Sequence, residues 1–127
     1  MTRGQIRIQA VEAVKRALGR KVTVGYGPVA SATSDPQTAT VGIGPEELFG
    51  EGGRSMRGGT PYMLAVRVVL VSDSPEALDG MIDKVAEEVS GVSPNWTYDG
   101  SEGGTSLETA GVKDVLTFQV LLQRGVA

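Results

Sequence analysis

A nine-residue apolar run, Met63 to Val71, passes straight into Ser72-Asp73-Ser74-Pro75 and then into an amphipathic stretch from Glu76 to Val89. Successive strand residues point to opposite faces. Leu64, Val66, Val68 and Leu70 therefore share one face, and Met63, Ala65, Arg67, Val69 and Val71 share the other. Both faces are mostly apolar, which predicts a strand in the interior of a sheet. Ser74 fits an N-cap and Pro75 the first helical position, where its missing N–H costs nothing. Leu78, Met81, Ile82, Val85, Ala86 and Val89 make one buried stripe, and Gly91 ends the helix. A central strand joined so tightly to a helix demands a layered fold with the helix packed on the sheet.

The flanking sequence supplies the other layers. Arg3 to Leu18 predicts a helix, with Thr2 and Gln5 at capping-box spacing. Ile6, Ala10, Val11, Ala13, Val14, Ala17 and Leu18 lie on one side, and Gly19 fits the C-terminal cap. Lys15, Arg16, Arg20 and Lys21 sit where the helix dipole favours cations. Val22 to Tyr26 reads as a strand with Val22, Val24 and Tyr26 on one face. Gly27 to Pro36 reads as a loop, and Thr38 to Ile43 as a second strand. Gly44 to Thr60 holds six glycines and little periodicity, with at most one helical turn at Glu46-Glu47-Leu48-Phe49. It is expected to be a long loop, flexible in the free subunit and ordered on assembly. A short strand at Asn95 to Tyr98, a second glycine-rich loop at Asp99 to Gly111, and a final strand from Asp114 to Gln123 complete the chain. Leu116, Phe118, Val120 and Leu122 alternate there with Thr117, Gln119, Leu121 and Gln123. The expectation is a single α+β domain over residues 1–127: a mixed, mostly antiparallel sheet with two helices on one face, in the order α-β-β-β-α-β-β.

Composition limits the chemistry. The chain has 127 residues, no histidine and no cysteine. The commonest general base and metal ligand is missing, as are disulfides and thiolate sites. No catalytic residue, cofactor or metal site is expected, and the chain is read as a non-enzyme. A net charge of −3 argues against a basic nucleic-acid-binding domain. The N-terminus lacks the apolar core of a signal peptide, and no apolar run reaches the about 18–20 residues that span a bilayer. A soluble protein made in the cytoplasm, with no membrane partner, is the expectation. Asn95-Trp96-Thr97 matches a glycosylation triplet that carries no meaning without secretion.

Two glycine motifs fall short. Gly25-Tyr26-Gly27-Pro28-Val29-Ala30 has the spacing of a dinucleotide fingerprint, but Pro28 and the Ser/Thr/Pro run after it supply no helix to hold a pyrophosphate. Gly50-Glu51-Gly52-Gly53-Arg54-Ser55 lacks the lysine of a phosphate loop. Trp96 reads as core packing. Glu76, Asp79, Asp83 and Glu87 make an acidic stripe on the second helix. A solvated face explains it; so does an interface, because the first helix carries Arg3, Arg7, Lys15 and Arg16. The acidic helix of one copy would then face the basic helix of the next. Arg54 and Arg57 are either solubilising charge or groups that order against a neighbour. Leu48, Phe49 and Met56 are apolar residues a pure linker would not need. With Arg67, Asp79, Asp83 and Glu87, these complete the interface candidates.

The order of elements, the long strand Pro61 to Val71, the Glu76–Val85 helix "EALDGMIDKV", the Trp-containing strand and the alternating last strand resemble the tail terminator proteins of long-tailed (siphovirus-like) bacteriophages. The resemblance is one of architecture and covers most of the chain. It implies a structural virion protein, located in the tail or neck and assembled in the host cytoplasm. Its partners would be itself, in a ring homo-oligomer of six copies, the tail tube protein, and the head-tail connector or neck proteins. The ring would cap the tube, end its polymerisation and join it to the head. DNA would pass through the channel without sequence-specific binding. An uncovered sheet face, with Met63, Ala65, Arg67 and Val69, would need a neighbour's cover. Two alternatives stand beside it: a neighbouring neck protein, and a small ferredoxin-like ligand-binding regulatory domain with an enclosed pocket.

Overall fold

The computed structural model describes residues 2–28, 35–48, 60–107 and 111–124. The elements run α1 (Arg3–Leu18), β1 (Thr23–Tyr26), β2 (Thr38–Leu48), β3 (Thr60–Ser72), α2 (Pro75–Ser90), β4 (Trp96–Ser101), β5 (Thr105–Leu107) and β6 (Gly111–Arg124). The expected α+β class holds, with the short β5 as an addition.

The local signals for both helices act as the sequence predicts. Gln5 N–H donates to Thr2 Oγ1 at 3.2 Å while Thr2 N–H donates to Gln5 Oε1 at 2.8 Å, closing the capping box. Gly19 ends α1 at φ +73°, a backbone region that disfavours side chains. Ser74 caps α2 by accepting from Ala77 N–H at 3.2 Å.

The sheet order is β1-β2-β3-β6-β4, with β5 also on β6. Only β1 and β2 pair in parallel; the other pairs are antiparallel. β3 lies between β2 and β6, the interior place its two apolar faces require. Its register with β6 is unbroken from Thr60↔Arg124 to Ser72↔Val112. Since β3 occupies that whole side of β6, β4 and β5 share the other side and make one interrupted edge. The opposite edge of the sheet is β1.

Both helices cover one face. Leu64, Val66, Val68 and Leu70 of β3, and Leu116, Phe118 and Val120 of β6, join Ile6, Ala10, Ala13 and Val14 of α1 and Leu78, Met81, Val85 and Val89 of α2 in one buried cluster. Trp96 belongs to it, as a core residue. The alternation read from the sequence is thus the division between the two faces.

Three expectations change. Gly44 to Leu48 is strand rather than loop or helical turn, because β2 continues past a register shift between Ile43 and Glu46. Gly44 takes φ +111°, and Pro45 falls within the shift. There the ladder skips a residue, so the missing N–H of Pro45 leaves no gap. The second glycine-rich stretch is also largely strand, since β4 reaches Ser101, β5 lies at 105–107 and β6 starts at Gly111. On the face away from the helices, Ala65 and Val69 are buried within the chain, and Val69, Val71 and Val115 form a second small cluster. Only part of that face remains open. Met63 is half-buried, and Leu121, its register partner, is exposed. The expected flexible loop at 49–59 lies outside the described residues.

Candidate assembly surfaces

The arginines proposed for an interface fall into two groups. Three have an acidic partner in the same chain. Arg3 meets Glu46 at 2.8 Å, tying the start of α1 to the far end of β2. Arg16 meets Glu88 at 3.5 Å, linking α1 to α2. Arg67 reaches Glu102, next to the interrupted β4–β5 edge. No local pattern pointed to these three glutamates, because their pairing depends on chain crossings 35 or more residues apart.

Arg7 and Lys15 form no ion pair among the described residues. Instead, the Arg7 guanidinium lies over the Tyr26 ring, 5.4 Å from its centre. That stacking uses the electron-rich face of the ring and fixes the cation in place. The pair forms a ridge between two open grooves. One, of about 380 Å³, runs along α1 and is lined by Gly4, Arg7, Ile8, Val11, Glu12, Lys15 and Tyr26. The other, of about 350 Å³, lies over Val41 and Ile43. Ile8 is 60% and Tyr26 66% exposed, so the first groove presents apolar surface and positive charge together. Ile8 was not among the residues the sequence singled out. Its signal was present: it is an apolar residue outside the stripe of its own helix.

Asp79, Asp83 and Glu87 are exposed on α2 with no ion pair among the described residues. Asp79 borders a third open groove, of about 210 Å³, with Pro75, Leu78, Gly104, Ser106, Val112 and Asp114. Asp114 is 96% buried by its 4% exposure. One carboxylate oxygen accepts from Gly103 N–H at 3.1 Å and Val115 N–H at 2.7 Å. It therefore holds the 102–104 segment against β6. Its position was legible from parity, since 114 lies in phase with the inward residues 116, 118 and 120.

Leu48 is the last residue of β2. Phe49, Arg54, Met56 and Arg57, with the phosphate-loop-like segment, lie outside the described residues. Gly25 and Tyr26 end β1, and Gly27 and Pro28 are not helical; residues 29–34 lie outside the described residues. Among the described residues, no three acidic side chains gather to hold a metal ion, and no helix is long and apolar enough to cross a membrane. The arrangement places charged, partly apolar surfaces on two flanks of a sheet.

No family model matches the chain, and no curated protein matches it. A solved structure does share the fold. It is a chain from the virion of a native gene transfer agent particle, with a TM-score of 0.53 over 92% of this chain and 93% of that one. At 12% identity the likeness is one of fold.

Proposed function

We propose that this chain is a structural virion protein of the tail-terminator kind. Copies form a ring, six in number, that caps the tail tube, ends its polymerisation and joins it to the head-tail connector. The observation that carries this reading is the end-to-end likeness of fold to a chain from a virion particle. Nearly the whole of each chain is matched, so the likeness is that of a complete subunit architecture rather than of a shared motif. The sequence resemblance to tail terminators points the same way.

The surface chemistry is consistent with assembly rather than turnover. The grooves described are open, whereas a ligand-binding regulatory domain needs an enclosed pocket to remove most of a small molecule's surface from water. A net charge of −3 suits a channel that passes DNA without holding it, since like charges repel the phosphates. The protein takes its place in the virion by binding the tube on one side and connector proteins on the other.

The test is negative-stain imaging of the purified protein with its mass in solution, followed by its addition to growing tail tubes. Rings of about six subunits, and tubes that stop lengthening with a ring at one end, are expected. A ring that binds only the head-side connector would make it a neck protein instead. A monomer or dimer, alone and with tubes, would remove the ring reading altogether.

A further inference from the structure

We infer that the groove on the β1 flank, built by Arg7, Ile8, Val11, Lys15 and Tyr26, receives the acidic flank of α2 from a second copy of this chain. The inference rests on the ring reading above and names the surfaces that would make the ring.

The placement of the two surfaces carries it. Each residue turns a helix by roughly 100°, so positions around each helix can be referred to its buried stripe. On α1, Arg16 lies on the side that meets Glu88 of α2. Arg7 and Val11 lie on the other side of the stripe, and Ile8 and Lys15 point outward. The stacking of Arg7 on Tyr26 confirms that this side faces the β1 edge. On α2, Glu88 marks the side toward α1. Asp79 and Asp83 lie on the other side, and Glu87 points outward. The groove that Asp79 shares with Gly104 and Ser106 confirms that this side faces the β4–β5 edge. The cationic groove and the acidic flank therefore stand at opposite ends of one subunit, above opposite edges of one sheet.

Charge then selects the partner. Among the described residues, Arg7 and Lys15 on one flank form no ion pair, nor do Asp79, Asp83 and Glu87 on the other; Glu12 also lines the groove, so two cations there stand against one carboxylate. The arginines nearest the subunit's own carboxylates are already paired. Complementary surfaces on the same molecule, at different places, generate a head-to-tail contact, which closes into a ring when the rotation permits. A two-fold dimer would instead set like against like: two cationic grooves or two acidic flanks. Apolar surface accompanies the charge on both sides. Ile8 and Tyr26 are exposed in the groove, and Ile82 and Ala86 lie half-buried beside the carboxylates. Burial of such groups supplies affinity, while the charges set register and partner choice.

Charge exchange tests the contact. Arg7→Glu with Lys15→Glu, and separately Asp79→Lys with Asp83→Lys, should each reduce a multi-subunit mass toward the 13.2 kDa of one chain. The two pairs combined should recover assembly. Circular dichroism should stay near that of the unaltered protein, because Lys15, Asp79 and Asp83 are exposed; Arg7 is only half-buried, and losing its stacking on Tyr26 should cost little in melting temperature. Arg20→Glu with Lys21→Glu, outside the groove, should leave the mass unchanged. As a second measurement, Ile8→Cys with Asp83→Cys, in a chain without other cysteines, should give on oxidation a ladder of species beyond the dimer. Ile8→Cys alone should give none. One-sided charge variants that assemble like the unaltered chain would overturn the contact while leaving the ring reading intact. So would a combined variant that fails to recover, or a ladder that stops at the dimer. An unaltered chain that forms no ring, alone or with tubes, would overturn both.

Discussion

Gly44 combines two demands on one residue. Its φ of +111° is a conformation that a side chain resists, and a Cβ there would lie 3.3 Å from the Arg3 guanidinium that reaches across to Glu46. Gly44→Ala should lower stability by about 1–3 kcal/mol in denaturant titration, the range for a strained backbone position. Most of that loss should come from the backbone, so Arg3→Ala, which clears the space, should not restore it. In the Arg3–Glu46 pair the arginine is half exposed and the glutamate 22% exposed, so solvent screens the pair and it contributes little. Asp114 is the other residue with a disproportionate role. Removing its carboxylate leaves the Gly103 and Val115 N–H groups without their acceptor; Gly103 is exposed to water, but the Val115 N–H is buried, and a buried unpaired donor costs about 1–3 kcal/mol. Asp114→Ala should therefore destabilise by that amount. It should also speed amide exchange at Gly103 more than at Val66 in the sheet interior. Equal acceleration at both would mean that Asp114 serves the whole fold rather than the interrupted edge.

Between elements, apolar packing outweighs charge. The Arg16–Glu88 pair links the two helices, but both side chains are about half exposed, 56% and 45%. Such pairs stabilise by about 0–1 kcal/mol. Phe118 and Leu116, fully buried in the core that the helices cover, belong to a different scale: truncation of a buried Phe or Leu to Ala costs about 2–5 kcal/mol. Phe118→Ala should thus lower the denaturant midpoint severalfold more than Glu88→Ala. A comparable loss from the two would mean that the ion pair orders the helices. The contrast also explains which elements were legible. β3 and α2 carry strong periodicity and unambiguous caps, and their boundaries moved by only one to three residues. β2 was cut short at Gly44-Pro45, which reads as a stop. It continues because a bulge accepts a glycine at positive φ and a proline without an N–H. β5 has three residues and no apolar alternation, and exists because β6 offers a free edge.

For the whole molecule, the two flanks differ in charge although the chain as a whole is only mildly acidic. Association through them should weaken with salt, since the screening length falls from about 30 Å at 0.01 M to about 8 Å at 0.15 M. Light scattering across that range should show less assembled protein at the higher salt, and the Asp79→Lys, Asp83→Lys variant should lose more assembly at low salt than at high. Equal losses at both would mean that the flanks associate through apolar contact alone. The face away from the helices adds a smaller opportunity. Leu121 is 42% exposed beside half-buried Met63, whereas Val69 and Val71 are already covered.

The sequence alone determined which residues face inward, because strand and helix periodicity are local consequences of backbone geometry. Leu64 to Leu70 and Leu116 to Val120 fall on the helix-covered face as their alternation requires, and Ser74 and Thr2 cap the helices they precede. It also determined the set of charged residues from which any contact must be made. Only the tertiary structure decided how those charges are used. Arg3, Arg16 and Arg67 meet carboxylates of the same chain, while Arg7 and Lys15 remain beside Ile8 and Tyr26. Those pairings depend on strand order and on chain crossings between distant segments, and no local pattern encodes a distance between residues that far apart. For the same reason α1 and α2, which read as a basic and an acidic helix suited to each other in different copies, lie side by side in one. Their outward flanks, at opposite edges of the sheet, are what remain for a neighbour.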